Sequence, residues 1–214
     1  MDRQQHWEAV YRSKAFDQVS WFSPHIDSSL AMIDAAVAEG TLALPTAQVI
    51  DVGGGASTLV DDLLQRGCES VTVMDISDAA LDIARQRFGP AATRVQWLCA
   101  DVLLASQLSL LPPLHFDLWH DRAVFHFLTT TEDRQRYRRS LLYGLKPGGT
   151  LLLSTFGPEG PQKCSGLDVV RYSAESLLYE LGEDFELLTS QQQMHRTPSG
   201  GTQQFLCCRL HRRF

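Results

Sequence analysis

Four aspartates stand where apolar runs give out. Asp51 follows Val49-Ile50, Asp75 follows Val71-Thr72-Val73-Met74, Asp101 comes shortly after Val95-Gln96-Trp97-Leu98, and Asp121 ends Phe116-Asp117-Leu118-Trp119-His120. One aspartate at a strand end suits a turn or a helix cap. Four in succession make a row of carboxylates that can accept from hydroxyls and amines or face a cation. The first is followed at once by Val52-Gly53-Gly54-Gly55-Ala56-Ser57. Missing Cβ atoms there permit positive φ and let a ligand lie against the backbone. A helical pattern of Leu59, Val60, Leu63 and Leu64 begins directly after, so free N–H groups face the same place. The dinucleotide fingerprint G-x-G-x-x-G does not fit, because its last position is Thr58. A carboxylate at Asp51 would repel a pyrophosphate but suits a cationic amino group.

Other reactive side chains gather in three places. After the fourth run comes His120-Asp121-Arg122-Ala123-Val124-Phe125-His126. Asp121, Arg122 and His126 are the candidates to orient or deprotonate a nucleophile, since histidine titrates near neutrality. The same residues also suit a structural ion pair and a histidine packed on a sheet. Cys164 and His195 lie in later loops expected at the same sheet edge, and with His126 they are candidates for touching a substrate. No spacing of cysteine or histidine supports a metal site. The third place is the N-terminal segment, dense in Trp7, Tyr11, Phe16, Trp21 and Phe22. These rings either pin the segment to the body of the protein or fold over a ligand. Tyr11 and Trp21 are the rings expected to hold a cationic centre through their π faces.

The elements that would position these residues alternate. Helical spacing is seen over residues 6–12 and again from about Asp27 to Glu39. From Gln48 onward, β-branched runs alternate with helical patterns at residues 79–88 and 132–145, and Thr150 to Phe156 reads as a continuous apolar strand. Strand then helix, repeated, predicts an open parallel sheet with helices on both faces and its ligand at the carboxyl ends of the strands. The tail predicts a helix over 174–181, strands over 185–188 and 203–210, and a loop between them around His195-Arg196-Thr197-Pro198, so that one closing strand runs antiparallel.

The pattern Asp51-x-Gly53-x-Gly55 resembles the first motif of class I S-adenosylmethionine-dependent methyltransferases. Ser57 stands where that family often has a third glycine, and it can cap the following helix. With Asp75, Asp101 and the turn Leu145-Lys146-Pro147-Gly148-Gly149, the resemblance covers about Gln48 to Phe156. It implies a Rossmann-like seven-stranded, mostly parallel α/β sheet with helices on both faces and an antiparallel last strand. It implies S-adenosyl-L-methionine as cofactor and S-adenosyl-L-homocysteine as product. The cofactor residues it implies are Asp51, Gly53, Gly54 and Gly55 at the turn, Asp75 and Ile76 at the ribose, Asp101 and Val102 at the adenine, and Trp21 and Asp121 beside them. Trp7-x3-Tyr11 followed by Val19-Ser20-Trp21-Phe22 resembles two subgroups, small-molecule thiol and thiopurine methyltransferases and protein-lysine methyltransferases. The first reading expected is a small acceptor, a thiol or other soft heteroatom. A protein-lysine N-methyltransferase is the alternative, and a non-catalytic S-adenosylmethionine-binding protein the second.

The 214 residues suit a single domain, with 1–45 as a helical lid or cap and 46–214 as the core, present as monomer or homodimer. A net charge of −6, and the absence of an Asn-Pro-Pro-Tyr or Asp-Pro-Pro-Tyr run, argue against a nucleic-acid substrate. No apolar run reaches membrane-spanning length, and the polar start lacks the apolar core of a signal peptide, which leads to a cytoplasmic expectation. The five cysteines are odd in number and lack C-x-x-C, so no disulfide framework is indicated.

Overall fold

A computed structural model describes residues 2–214. α1 (Arg3–Ser13) and α2 (Asp27–Ala38) precede β1 (Gln48–Val52). Then come α3 (Leu59–Gln65), β2 (Ser70–Asp75), α4 (Asp78–Phe88), β3 (Val95–Cys99), β4 (Phe116–Arg122), α5 (Thr131–Gly144) and β5 (Leu145–Phe156). A small hairpin, β6 (Lys163–Cys164) and β7 (Leu167–Asp168), leads to α6 (Ala174–Leu181), and β8 (Phe185–Arg196) and β9 (Thr202–Arg212) close the chain.

The seven-stranded sheet has the order β3-β2-β1-β4-β5-β9-β8. Its first five strands are parallel, β9 runs antiparallel to β5, and β8 runs antiparallel to β9. The predicted α/β class and reversed closing strand are therefore present. The central strands are apolar because both sheet faces are covered. Alternation along β5 divides its side chains between two cores. Leu152 and Phe156 pack with Ile33, Leu59 and Leu63 on one face. Leu151 and Leu153 pack with Trp119, Tyr137 and Leu177 on the other.

Strand order reverses between β1 and β4, and the carboxyl ends of these two strands splay around a crevice, the usual ligand position in such a sheet. The closing strands are longer than the sequence predicts. β8 continues through Gln191-Gln192-Gln193 to Arg196, paired with β9 along its length. It is a sheet edge with much of its length exposed, so its polar composition hides the strand. His195 and Arg196 lie inside the strand, and the turn is confined to Thr197–Gly201, closed by Thr197 N–H donating to the Gly201 carbonyl at 2.8 Å.

Candidate active site

The glycine turn is shaped as much by the chain's own carboxylates as by any ligand. Gly53 has φ +68°, and a Cβ there would lie 2.0 Å from Val124 Cγ2. A Cβ on Gly54 would come 2.5 Å from Asp51 Oδ2, and one on Gly55 would come 2.6 Å from Asp75 Oδ2. The turn is tied down by Gly53 N–H, which donates to the Met74 carbonyl at 2.7 Å. Ser57 Oγ accepts from Leu59 N–H at 3.2 Å, although the N-cap position of α3 is taken by Thr58 and not by Ser57.

Asp51 is 2% exposed. Its Oδ1 lies 2.7 Å from His120 Nδ1, and His120 Nε2 lies 2.8 Å from Ser29 Oγ. Asp51 Oδ2 is buried with no partner among the described residues. Asp75, buried at the end of β2, accepts from Ser77 N–H at 2.8 Å. Burial pushes its carboxyl up to about 7; the Ser77 hydrogen bond opposes this, and nearby Asp51 and Glu8 add to it. Asp101 accepts from Leu103 N–H at 2.8 Å, and Arg3 approaches its other oxygen at 3.9 Å.

Two of the expected catalytic residues lie off the crevice, and a third contact is indirect. Asp121 stands opposite Val52 in the ladder while His120 stands opposite Asp51, so Asp121 points to the other face of the sheet. There it is fully buried, accepting from Tyr137 Oη at 2.6 Å and Val124 N–H at 2.9 Å. Burial raises it to about 6. It braces the segment after β4 and lines no part of the crevice. His126 is also fully buried, between Phe127 and Phe156. Its Nδ1 accepts from Phe156 N–H at 3.1 Å, and burial together with Arg122 lowers its pKa to about 3. It is a neutral core histidine that lines no part of the crevice, rather than the exposed base expected from its position. His195 donates from Nε2 to the Ser20 carbonyl at 2.9 Å, next door to Trp21; it supports the wall without lining it.

The crevice itself has two communicating parts. The larger, about 860 Å³ with its open mouth, is lined by Asp75, Ile76, Asp101 and Val102 on one side and by Trp7, Tyr11, Trp21, Phe127 and Cys164 on the other. The smaller reaches past Gly53 and Gly54 to Asp51, Ser57 and His120. Tyr11, Trp21, Gly53 and Arg122 border both. The aromatic wall is one cluster, with the Trp7 centroid 5.0 Å from Phe127 and 5.8 Å from Trp21, and Tyr11 6.2 Å from Trp21. α1 is fixed over the crevice by Glu8. Its Oε1 accepts from Asp78 N–H at 2.6 Å and from Ala79 N–H and Ser77 Oγ, both at 3.2 Å, at the amino end of α4. Sequence reasoning missed Arg3, Glu8 and His120. Arg3, Trp7 and Tyr11 share one helical face at a spacing of four, which was the available signal for Arg3. Nothing local marks His120 as the partner of Asp51.

Residues 49–149 match the family model described as "Methyltransferase domain". A squalestatin tetraketide synthase of Cochliobolus lunatus is 28% identical over 144 residues, 64% of this chain, and the chain spans 5% of that relative's length. A SAM-dependent methyltransferase from Anabaena variabilis ATCC 29413 superposes with a TM-score of 0.74 at 20% identity, covering 100% of this chain and 96% of that one. A protein from the structural study "Conversion of a Disulfide Bond into a Thioacetal Group during Echinomycin Biosynthesis" gives a TM-score of 0.76 at 17% identity, covering 98% and 93%. At these identities the two superpositions establish the shared fold.

Proposed function

We propose that the chain is a class I S-adenosylmethionine-dependent methyltransferase that methylates a small-molecule nucleophile, a thiol or other soft heteroatom; the match of residues 49–149 to a methyltransferase domain and the shared fold support the first part of this reading. S-adenosylmethionine supplies an electrophilic methyl on a sulfonium. The residues present fit it. Asp51 offers a buried, unpartnered oxygen to the amino group, and the glycine turn leaves a cradle that any Cβ would fill. Asp75 is suited to the ribose hydroxyls and Asp101 to the adenine amino group, with Ile76 and Val102 flanking the base. The rings of Tyr11 and Trp21 suit a cationic centre, at roughly 0.5–2 kcal/mol per contact. The aromatic wall holds the acceptor in line and excludes water, and positioning of this kind supplies up to about 7–11 kcal/mol of a barrier.

The observation that carries the soft-acceptor reading is that, among the described residues and apart from the carboxylates assigned to the cofactor, no uncommitted base borders the crevice. His126 and Asp121 are buried and bonded elsewhere, while Asp75 belongs to the cofactor side. An acceptor must then arrive already nucleophilic. A thiol is a few per cent ionised at neutral pH, whereas a lysine near 10.4 must first lose a proton. The new bond joins the acceptor sulfur to the methyl carbon, the sulfonium–methyl bond breaks, and the thiol proton goes to solvent. A structural neighbour associated with forming a thioacetal from a disulfide is compatible with sulfur chemistry on this fold. No helix among the described residues is long and apolar enough to cross a membrane, and free cysteines at all five positions fit a reducing cytoplasm.

The test is production of S-adenosylhomocysteine from a panel of small thiols and amines. Turnover on a thiol, with a rate that follows the thiol's ionisation, is expected. Turnover confined to added cell protein would overturn the reading in favour of a lysine acceptor. Binding of the cofactor without turnover on any acceptor would point to a non-catalytic protein.

A further inference from the structure

Among the described residues Arg122 is the one arginine or lysine bordering both parts of the crevice, and the protein leaves most of it unclaimed. Its Nη1 donates to the Trp21 carbonyl at 2.8 Å, and its guanidinium carbon lies 4.7 Å from the Phe205 ring centroid. No other protein hydrogen bond is made by this guanidinium among the described residues, and no carboxylate comes within the 4.0 Å of an ion pair. Arg3, the other arginine on the wall, differs: it pairs with Asp133 at 2.5 Å. A guanidinium presents five N–H donors in a planar fork and stays charged under physiological conditions. Burial lowers the pKa of Arg122; Asp51 opposes this from a distance, but no carboxylate reaches the guanidinium to pair with it.

The charge also has a neighbour to contend with. The sulfonium of the donor is a second cation in the same crevice. The three carboxylates that would offset it, Asp51, Asp75 and Asp101, stand on the cofactor side. Arg122 borders the larger part together with Asp75 and Asp101 and the smaller part together with Asp51, and beside it stand Tyr11, Trp21 and Cys164, where an acceptor would enter. Two cations facing one low-dielectric space favour an anion between them. A planar fork with free donors favours an oxyanion that it can grip with two bonds.

We infer that Arg122 is an anion-reading subsite and that the acceptor is a small thiol carrying a carboxylate or similar oxyanion. This rests on the soft-acceptor reading for the thiol, but not for the anion. A carboxylate has two sources in this crevice, the acceptor and the amino-acid part of the cofactor, and the experiment separates them.

Matched probes are titrated into full-length protein saturated with S-adenosylhomocysteine, with tryptophan fluorescence as the readout. They are 3-mercaptopropionate against 3-mercaptopropionamide, and butyrate against butyramide. Both acids are expected to bind about tenfold more tightly than their amides, the scale of a charge-assisted pair of hydrogen bonds. Arg122→Gln is expected to abolish the preference. Arg122→Lys, which keeps the charge and loses the fork, should retain part of it and covers the case of a Gln variant that does not fold. S-adenosylmethionine affinity should change by less than about threefold in either variant, well under one tenfold step. If wild type binds acid and amide alike, or binds neither at millimolar concentration, the anion subsite is overturned. It is equally overturned if the variants lose cofactor affinity and leave the acid preference intact, for the guanidinium then serves the cofactor's own carboxylate. Methyl transfer to 3-mercaptopropionate is measured separately. Acid preference without any transfer to the thiol would sink the thiol reading while leaving the anion subsite standing.

Discussion

Asp75 is held as a carboxylic acid up to about pH 7 by burial, with Asp51 and Glu8 adding to the effect. A folded value above the unfolded one, 3.8 for this group, means that the native state holds more protons on it in between. Stability therefore falls as pH rises from about 4 to 7, and the full cost is carried above pH 7. Function runs the other way, since a carboxylate accepts from two ribose hydroxyls better than an acid does. We expect the Kd for S-adenosylmethionine to tighten as pH rises through 7. Asp75→Asn, which can still accept from Ser77 N–H, should remove that pH dependence and weaken binding. The same variant should melt higher than wild type at alkaline pH, at about 2–4 °C per kcal/mol relieved for a chain of this size. A variant that melts lower at alkaline pH would show the carboxylate to be stabilising. His120 acts one step behind. It partners Asp51 Oδ1 and Ser29 together, and His120→Leu would leave both buried groups without it. A loss of about 1–3 kcal/mol is expected, with cofactor affinity falling alongside, because His120 is the one hydrogen-bond partner of the Asp51 side chain among the described residues. Calorimetry on the variant checks both, and unchanged affinity would remove His120 from the site.

At the scale of elements, α1 decides access. None of its side chains is fully buried, and a helix of this length is marginal alone in water. It stays in place through the aromatic cluster, the Arg3–Asp133 pair and the Glu8 carboxylate seated on the amino end of α4. A carboxylate there satisfies unpaired N–H groups and the helix dipole. Glu8→Ala should free α1 by about 1 kcal/mol, roughly fivefold in its opening equilibrium. Hydrogen exchange over residues 3–13 should accelerate, and S-adenosylhomocysteine should leave faster, while exchange in β1 and β4 stays as it was. Equal exchange in α1 of variant and wild type would show that Glu8 is not the latch. The sequence made this helix visible through Trp7 and Tyr11 but not its docking, since the groups Glu8 meets are backbone N–H groups of a distant helix. The same limit explains Asp121. Its place at a strand end was legible, but the face it takes depends on register against β1, and a single residue of register separates it from His120. The parallel core was legible because strands buried on both faces leave apolar runs. β8 was cut short because an exposed edge strand needs no such run.

For the molecule as a whole, the question is whether residues 1–45 and 46–214 melt as one unit. The crevice is walled by both parts: the carboxylates come from the sheet, and Trp7, Tyr11 and Trp21 come from the N-terminal segment. A ligand seated there touches both and couples them; α2 is built into the core through Leu30, Ile33 and Ala36, whereas α1 buries no side chain fully and is held in part by polar contacts. Of the four tryptophans, Trp7 and Trp21 report on the segment, while Trp119 lies in the core and Trp97 on β3. Without ligand we expect tryptophan fluorescence to change at a lower temperature than far-ultraviolet dichroism, as α1 lifts from the aromatic cluster before α2 and the sheet unfold. At a hundredfold excess of S-adenosylhomocysteine over its Kd, binding to the native state alone adds about 2.7 kcal/mol. The dichroism midpoint should then rise by about 5–10 °C, and the two probes should converge, because bound ligand makes opening of the segment as costly as unfolding. Convergence is the informative result, since any ligand confined to the sheet would raise the midpoint but leave the early fluorescence change in place. Probes that coincide without ligand would instead make the N-terminal segment part of the core's cooperative unit. A midpoint that ignores the ligand in wild type would contradict cofactor binding in this crevice.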